Sequence, residues 1–223
     1  MNDTIRQILD IEWEMFHNVN GETKADCQNE KQTFEMMRNA QFEVWNEETR
    51  LSYLEDLKDA VANGRSLVRE KYIRMMESTD PDGYAAFKGD LNEATDKMLT
   101  LADDIWQILL AQTEKIRVKY PVLALGGRPL HASEEKGWAS VETYQKCELL
   151  TFSEKTLELL LAHIKDLQEK GEDYAYIVQK NSITCLGYTT MEEAELAMAA
   201  QFMEEMGVTV EEGCPSCETT DFM

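Results

Sequence analysis

Apolar side chains recur at every third or fourth position through most of the chain, which is the spacing of amphipathic helices. No alternation of apolar and polar residues runs long enough to predict a strand. The sequence therefore predicts an all-α fold, a helical bundle. The predicted helices cover residues 3–19, about 33–45, 46–64, 67–76, 91–120, 140–152, 153–170 and 190–206. Residues 181–188 are predicted to form a connection that is extended near 183–186.

The chain also resembles itself at a constant offset. Residues 45–49, Trp-Asn-Glu-Glu-Thr, recur 107 positions later as residues 152–156, Phe-Ser-Glu-Lys-Thr. The same offset relates Gly64 to Gly171, each placed where a glycine would end a helix. An offset that keeps a helix start, an apolar face and a terminal glycine indicates one helical unit used twice.

We expect the two units to form one domain over residues 1–188, with related halves at about 1–80 and 90–188. The turn-forming sequence Asp-Pro-Asp-Gly at residues 80–83 is the predicted break between them. Residues 189–223 are expected to add an acidic C-terminal helix and a loose tail. Thr190 and Glu193 have the spacing of a capping box that would begin this last helix.

The composition excludes some classes of partner. The formal net charge is −21, and no Lys or Arg follows Lys180. A field of this sign repels phosphate backbones, so we expect no nucleic-acid partner. A basic protein partner or a cationic ligand is compatible with the charge.

Membrane insertion and secretion are not expected either. The longest apolar run, residues 157–164, is far too short to cross a bilayer, and no basic-then-apolar leader begins the chain. Five scattered cysteines, an odd number, argue for a reducing compartment over a disulfide framework. The expected location is the cytoplasm.

Several blocks of residues carry a resemblance to a known family. They are Ile11-Glu12-Trp13-Glu14-Met15-Phe16, Cys27-Gln28, Thr33-Phe34, Met37-Arg38, Gln41-Phe42, Tyr53-Leu54-Glu55-Asp56-Leu57, Gly64-Arg65-Ser66-Leu67 and Glu70-Lys71-Tyr72. In this order they resemble the bacterial family called domain of unknown function 4125, over roughly residues 5–190. The resemblance implies a bacterial helical protein and brings no reaction with it.

Polar residues on otherwise apolar helix faces are the best indication of a functional site. Arg38 and Gln41 lie one turn apart among apolar neighbours, and Gln41 corresponds by the offset to Glu148. Burying such groups without partners costs a few kcal/mol, so they should pair with each other or meet a ligand. Glu12 and Glu14 flank Trp13, so that one of the two carboxylates is expected to point inward.

Two classes of function follow from this cluster. In the first, the halves enclose a pocket for a small molecule: Arg38 anchors an anionic group, Gln41, Trp45 and Tyr144 contact the ligand, and Glu14 or Glu148 acts as an acid or base. In the second, the same groups form structural ion pairs, and the protein is an acidic, non-enzymatic adaptor that binds a partner protein. No cofactor is identified.

A third class is metal or thiol handling. Cys214 and Cys217 form a Cys-x-x-Cys pair, which is half of a zinc site or one redox couple, but it lies in an acidic tail without a second half. Glu14 and His17 have the Glu-x-x-His spacing of di-iron bundles, and Glu148 with His163 could complete a mixed site. The second Glu-x-x-His is absent, so the default is no metal and a solvent-facing histidine.

Overall fold

The computed structural model describes residues 2–19, 30–125, 127–131 and 139–207, and over these residues the chain is helical without strands. The predicted all-α fold is therefore confirmed. The helices are α1 (Asp3–His17), α2 (Lys31–Phe42), α3 (Glu47–Ala62), α4 (Leu67–Thr79), α5 (Pro81–Phe87), α6 (Asp96–Lys119), α7 (Pro121–Leu125), α8 (Val141–Leu149), α9 (Glu154–Glu169), α10 (Tyr174–Cys185) and α11 (Met191–Glu205), with a short 3₁₀ helix at Lys88–Asp90.

The helices begin and end where local chemistry dictates. Asn46 caps α3 by accepting a hydrogen bond from the backbone N–H of Thr49 at 2.9 Å, and Ser153 caps α9 in the same way from Thr156 at 3.2 Å. Gly64 and Gly171 follow these two helices with φ of +67° and +77°, a conformation that glycine adopts without strain. Both helices have 16 residues, and their bounds differ by the predicted offset.

The helix pairings repeat in the same way. The helix α1 packs on α2, α3 and α4, while α6 packs on α8, α9 and α10. Each half also reaches across to the other, because α4 packs on α8, α10 packs on α2, and α3 packs on α9. These matched bounds and pairings fit the predicted repeat, which as a duplication stays a prediction.

Aromatic rings fill the centre of the bundle, where the turns before α3 and α9 meet. Trp45 and its offset counterpart Phe152 have ring centroids 5.8 Å apart, and the Tyr53 ring lies 4.8 Å from Phe152. Phe42, Trp45 and Phe152 are each at most 1% exposed. Burying these large rings removes much apolar surface from water, which stabilises the centre of the bundle.

Two polar contacts tie each central helix to the turn before the other. The Asp56 carboxylate on α3 accepts hydrogen bonds from the Ser153 backbone N–H at 3.0 Å and from the Thr156 hydroxyl at 2.7 Å. The His163 ring on α9, at the corresponding position, donates from Nε2 to the Val44 carbonyl at 2.7 Å. Asp56 and His163 occupy corresponding positions, but Asp56 accepts hydrogen bonds while His163 donates one.

Two expectations about local structure need correction. The predicted break at residues 80–83 is confined to Asp80, which ends α4 and caps α5, and Pro81 begins α5, as proline tolerates the first helical position. Residues 181–185 are helical and continue α10, so the extended stretch near 183–186 was wrong. A short stretch with apolar residues such as Ile183 and Leu186 is compatible with either a helix or a strand, because it is too short to show a period.

The last helix is held by its own acidic residues. Thr190 caps α11 as predicted, and the Glu193 carboxylate accepts from the Thr189 backbone N–H at 2.8 Å. The Glu195 carboxylate accepts from the backbone N–H groups of Val122 and Leu123, both at 2.8 Å, at the start of α7. Among the described helices, none has the length and apolar character that crossing a bilayer requires. The predicted tail lies outside the described residues.

The positive-φ glycines that follow α3 and α9 give a first prediction. Replacing Gly64 or Gly171 by Ala should lower the free energy of unfolding by about 1 kcal/mol, because a side chain in this conformation strains the backbone although nothing lies within 4 Å of the added Cβ. Urea unfolding followed by circular dichroism measures the change. Gly89→Ala is the matched control, since it also has open space but no positive φ. Equal midpoints for all three variants would contradict the prediction.

Candidate functional site

A buried ion-pair cluster lies where α1, α2 and α8 meet, and Arg38 is its centre. Its Nε and Nη2 donate to the two oxygens of Glu12 at 2.8 and 2.6 Å. Its Nη1 lies 2.7 Å from Oε1 of Glu148 and donates to Oε1 of Gln41 at 2.8 Å. The side chains of Arg38, Glu12 and Glu148 are 12%, 2% and 8% exposed. One guanidinium thus joins carboxylates from both halves of the chain.

A second cation lies beside this cluster. The Lys71 side chain on α4 is 8% exposed, and its Nζ donates to the Tyr144 hydroxyl at 2.8 Å. The same Nζ lies 4.0 Å from Oε2 of Glu148 and 4.2 Å from the centroid of the Tyr144 ring. Two cations and two carboxylates therefore balance in charge, as buried charges require.

The protonation states follow from this mutual pairing. Burial opposes the charge of Glu148, but Arg38 and Lys71 outweigh it and hold its pKa below the ordinary value. Burial likewise opposes the charge of Lys71, and nearby Glu148 raises its pKa nonetheless. Burial, together with Glu12, raises the pKa of Tyr53, which keeps its proton and donates to Oε1 of Glu12 at 2.6 Å. At neutral pH Glu148 is therefore ionised, Arg38 and Lys71 are cations, and Tyr53 is a neutral phenol.

A pocket of about 150 Å³ opens beside the cluster. We call it the first pocket. The side chains of Glu12, Arg38, Lys71, Tyr144 and Glu148 form its polar wall, and apolar residues complete it. The apolar lining includes Phe16, Phe34, Met37, Leu67 and Val68. Its volume is below that of sites for drug-sized ligands, so it suits a small group.

The structure brings together four of the residues proposed from the sequence and separates two. Arg38, Gln41, Tyr144 and Glu148 lie in or beside the cluster. Glu14 does not join them, because it is on the exposed side of α1, and Glu12 is the α1 carboxylate that points inward.

The prediction that Trp45 contacts the ligand also needs correction, because Trp45 does not line the first pocket. Its indole is 1% exposed, and Nε1 donates to the Tyr174 hydroxyl at 2.7 Å. Trp45 is therefore a core residue whose one polar atom is satisfied by α10.

Three residues of the site were not proposed as site residues from the sequence. Glu12 was one of two alternatives, while Lys71 and Tyr53 appeared only within the blocks that carry the family resemblance. A signal for Lys71 existed: it lies on α4 between the buried Val68 and Met75, one turn from each. A lysine on the apolar stripe of a helix requires a partner.

The structure does not bring together the residues of the mixed metal site considered from the sequence. Among the described residues, no group of three or more His, Cys, Asp or Glu side chains is placed to hold a metal ion. His163 donates to the Val44 carbonyl, and the centroid of the tilted His17 ring lies 5.4 Å from that of Trp13. Cys214 and Cys217 lie outside the described residues. Burial raises the pKa of the Cys147 thiol to about 11, which keeps it protonated and unreactive.

Fold and site together define an all-helical protein with a charge-balanced cluster beside a small pocket. The chain belongs to the family described as "Protein of unknown function (DUF4125)", whose model matches residues 2–196. No curated protein and no solved structure matches the chain.

Glu12 and Glu14 provide a matched pair of variants. Glu12→Gln should lower the free energy of unfolding by about 3 kcal/mol, because it leaves the buried Arg38 short of a charge partner. Glu14→Gln, two residues away on the exposed side of the same helix, should change it by less than about 0.5 kcal/mol. Urea unfolding at neutral pH measures both. Comparable losses for the two variants would mean that the cluster does not stabilise the fold.

The lowered pKa of Glu148 predicts a pH dependence. In the unfolded chain this carboxyl has the ordinary glutamate pKa of about 4.3, whereas the folded value is lower. The unfolded state is therefore protonated first as the pH falls, so the stabilisation from Glu148 is complete above the unfolded pKa and is lost as the pH falls through the folded pKa.

The measurement is the free energy of unfolding of the wild type minus that of Glu148→Gln, which cancels the titration of other carboxyls. This difference should be constant between about pH 6 and 8 and should shrink below about pH 4. A difference that widens as the pH falls would contradict the assigned ionisation.

Proposed function

We propose that the first pocket binds a small molecule through an anionic or hydrogen-bond-accepting group, and that Lys71 and Tyr144 contact this group. The observation that carries the proposal is the position of Lys71 Nζ. This ammonium has three donors, and within the described part of the chain it makes one hydrogen bond, to Tyr144. A buried ammonium with unused donors is costly, and an acceptor on a ligand would supply the missing partner.

The Arg38 cluster forms a fixed polar wall of this site. Arg38 is engaged by Glu12, Gln41 and Glu148, so we assign the role of anchor to Lys71 and not to Arg38. Groups that are already paired need no rearrangement when a ligand arrives, which reduces the cost of binding. The geometry that Lys71 and Tyr144 present is thereby fixed in advance.

Binding is favoured over acid catalysis by the same electrostatics. A general acid needs a pKa near the working pH, and the pKa of Glu148 is lowered instead. Glu14 is exposed on α1 and is not part of the pocket. The class we propose is accordingly a small-molecule binding protein, and we place it in the cytoplasm because of its scattered cysteines.

A partner-binding adaptor is the alternative, and two exposed apolar side chains favour it. The side chains of Leu196 and Met206, on α11 and at its end, are 72% and 71% exposed. Large exposed apolar side chains in one region mark protein interaction sites when they form a patch. Thiol or metal handling by Cys214 and Cys217 is a third prediction, which metal analysis of a variant with both cysteines changed to Ser would test.

Lys71→Met separates the proposed function from these alternatives. We expect native mass spectrometry of the freshly purified wild type to show a retained small mass, and we expect the variant to lose it. Lys88→Met is the matched control, because Lys88 is exposed in the 3₁₀ helix.

In parallel, small carboxylates and inorganic phosphate are titrated by calorimetry. Lys71→Met should bind at least about tenfold more weakly, the effect of one charged hydrogen bond. A wild type that carries and binds nothing, or equal binding by both lysine variants, would contradict the proposal.

A further inference from the structure

A second pocket, of about 330 Å³, lies among α6, α7, α8 and α10. Its walls are mainly apolar and aromatic, with Trp106, Leu109, Ile116 and Tyr174 among them. The helix α8 borders both pockets, since Tyr144 and Glu148 line the first pocket while Val141 and Gln145 line the second. Tyr144 with Glu148, and Val141 with Gln145, are each one turn apart on α8, so the two pairs lie side by side and each pair borders one pocket.

The two pockets correspond residue by residue at the offset of the sequence repeat. Seven residues that line the first pocket have counterparts 107 positions later that line the second. The pairs are Phe16 and Leu123, Phe34 and Val141, Arg38 and Gln145, Leu67 and Tyr174, Val68 and Ala175, Lys71 and Val178, and Tyr72 and Gln179. The fold therefore builds the same concavity twice, once in each half.

The chemistry of the walls differs between the two concavities. Gln145 stands at the position of Arg38, and Val178 stands at that of Lys71. The second pocket consequently has an apolar and amide wall where the first has two buried cations. Such a wall favours an uncharged, apolar body over a small anion, because a buried charge there would have no partner.

Two arginines, Arg117 and Arg128, line the second pocket and give it positive charge. Nη2 of Arg117 donates to the Arg128 carbonyl at 2.7 Å, and Nη1 of Arg128 donates to the Ala139 carbonyl at 3.2 Å. Each guanidinium has five N–H donors, so most remain for another acceptor. Neither guanidinium has a carboxylate partner among the described residues, in contrast to Arg38, although the chain carries a net charge of −21.

We propose that the second pocket is a separate binding site for an organic anion with an aromatic or aliphatic body. The body lies between Trp106, Leu109 and Val178, and the anionic group lies against Arg117 and Arg128. Guanidinium groups bind carboxylates through paired N–H donors, which gives this end of the site its preference for a planar anion. The proposal does not depend on the function of the first pocket, because none of its contacts uses Lys71 or the Arg38 cluster.

The test is a titration of the full-length protein with 2-naphthoate, followed by amide chemical shifts in ¹H–¹⁵N spectra. We expect saturable one-to-one binding with the largest shifts in α8 and α10. The double variant Arg117→Gln, Arg128→Gln should bind at least about tenfold more weakly, as should the wild type with the uncharged probe 2-naphthamide. Val178→Phe should abolish binding by filling the pocket, and Gln179→Glu should weaken it by repulsion if the Phe variant does not fold.

Lys88→Met, at an exposed lysine that lines neither pocket, is the matched control and should bind 2-naphthoate as the wild type does. The proposal is overturned by an absence of saturation up to the solubility limit of the probe. It is also overturned if binding is lost in Lys71→Met and retained in the arginine double variant, because the probe then occupies the first pocket. Equal affinity for naphthoate and naphthamide would show that the two arginines do not select an anion.

Discussion

The bridge that Arg38 makes between Glu12 and Glu148 is the constraint on which the site depends. Glu12 comes from α1 and Glu148 from α8, so the guanidinium connects the first half of the chain to the second. In a low-dielectric interior such a bridge is stable only when every charge has a partner at close range. This requirement sets the position of α8 against α1 and α2, and with it the place where Tyr144 meets Lys71 on α4.

The central helices α3 and α9 match in cap, length and terminal glycine, while the polar groups around them differ. Both central helices have an Asn or Ser cap, a length of 16 residues and a glycine with positive φ after them. At the polar positions the halves differ: Gln41 corresponds to Glu148, and the acceptor Asp56 corresponds to the donor His163. A helix tolerates such exchanges because caps and apolar contacts, not the exchanged groups, define its ends and its buried face. Two similar concavities with different walls are the consequence.

The sequence predicted most of the helices because their signals are local. A capping residue, a run of helical spacing and a glycine act within a few residues of each other, which is why α3 and α9 were placed correctly. The errors fell where local signals are ambiguous. The sequence at residues 80–83 is compatible with a turn or with a helix start, and residues 183–186 are apolar without a decisive period.

The sequence by itself determined the helical class, the caps and the presence of polar groups that needed partners. Only the tertiary structure decided which groups became partners. Glu12 and Glu14 are the same residue type and flank the same tryptophan, so the sequence does not distinguish them. The packing of α1 on α2 and α3 turns Glu12 inward and Glu14 outward. Lys71 is more than 70 residues from Tyr144 along the chain, and no local pattern connects them. The pairing of charges depends on distances between helices, and these distances exist only once the whole core has packed.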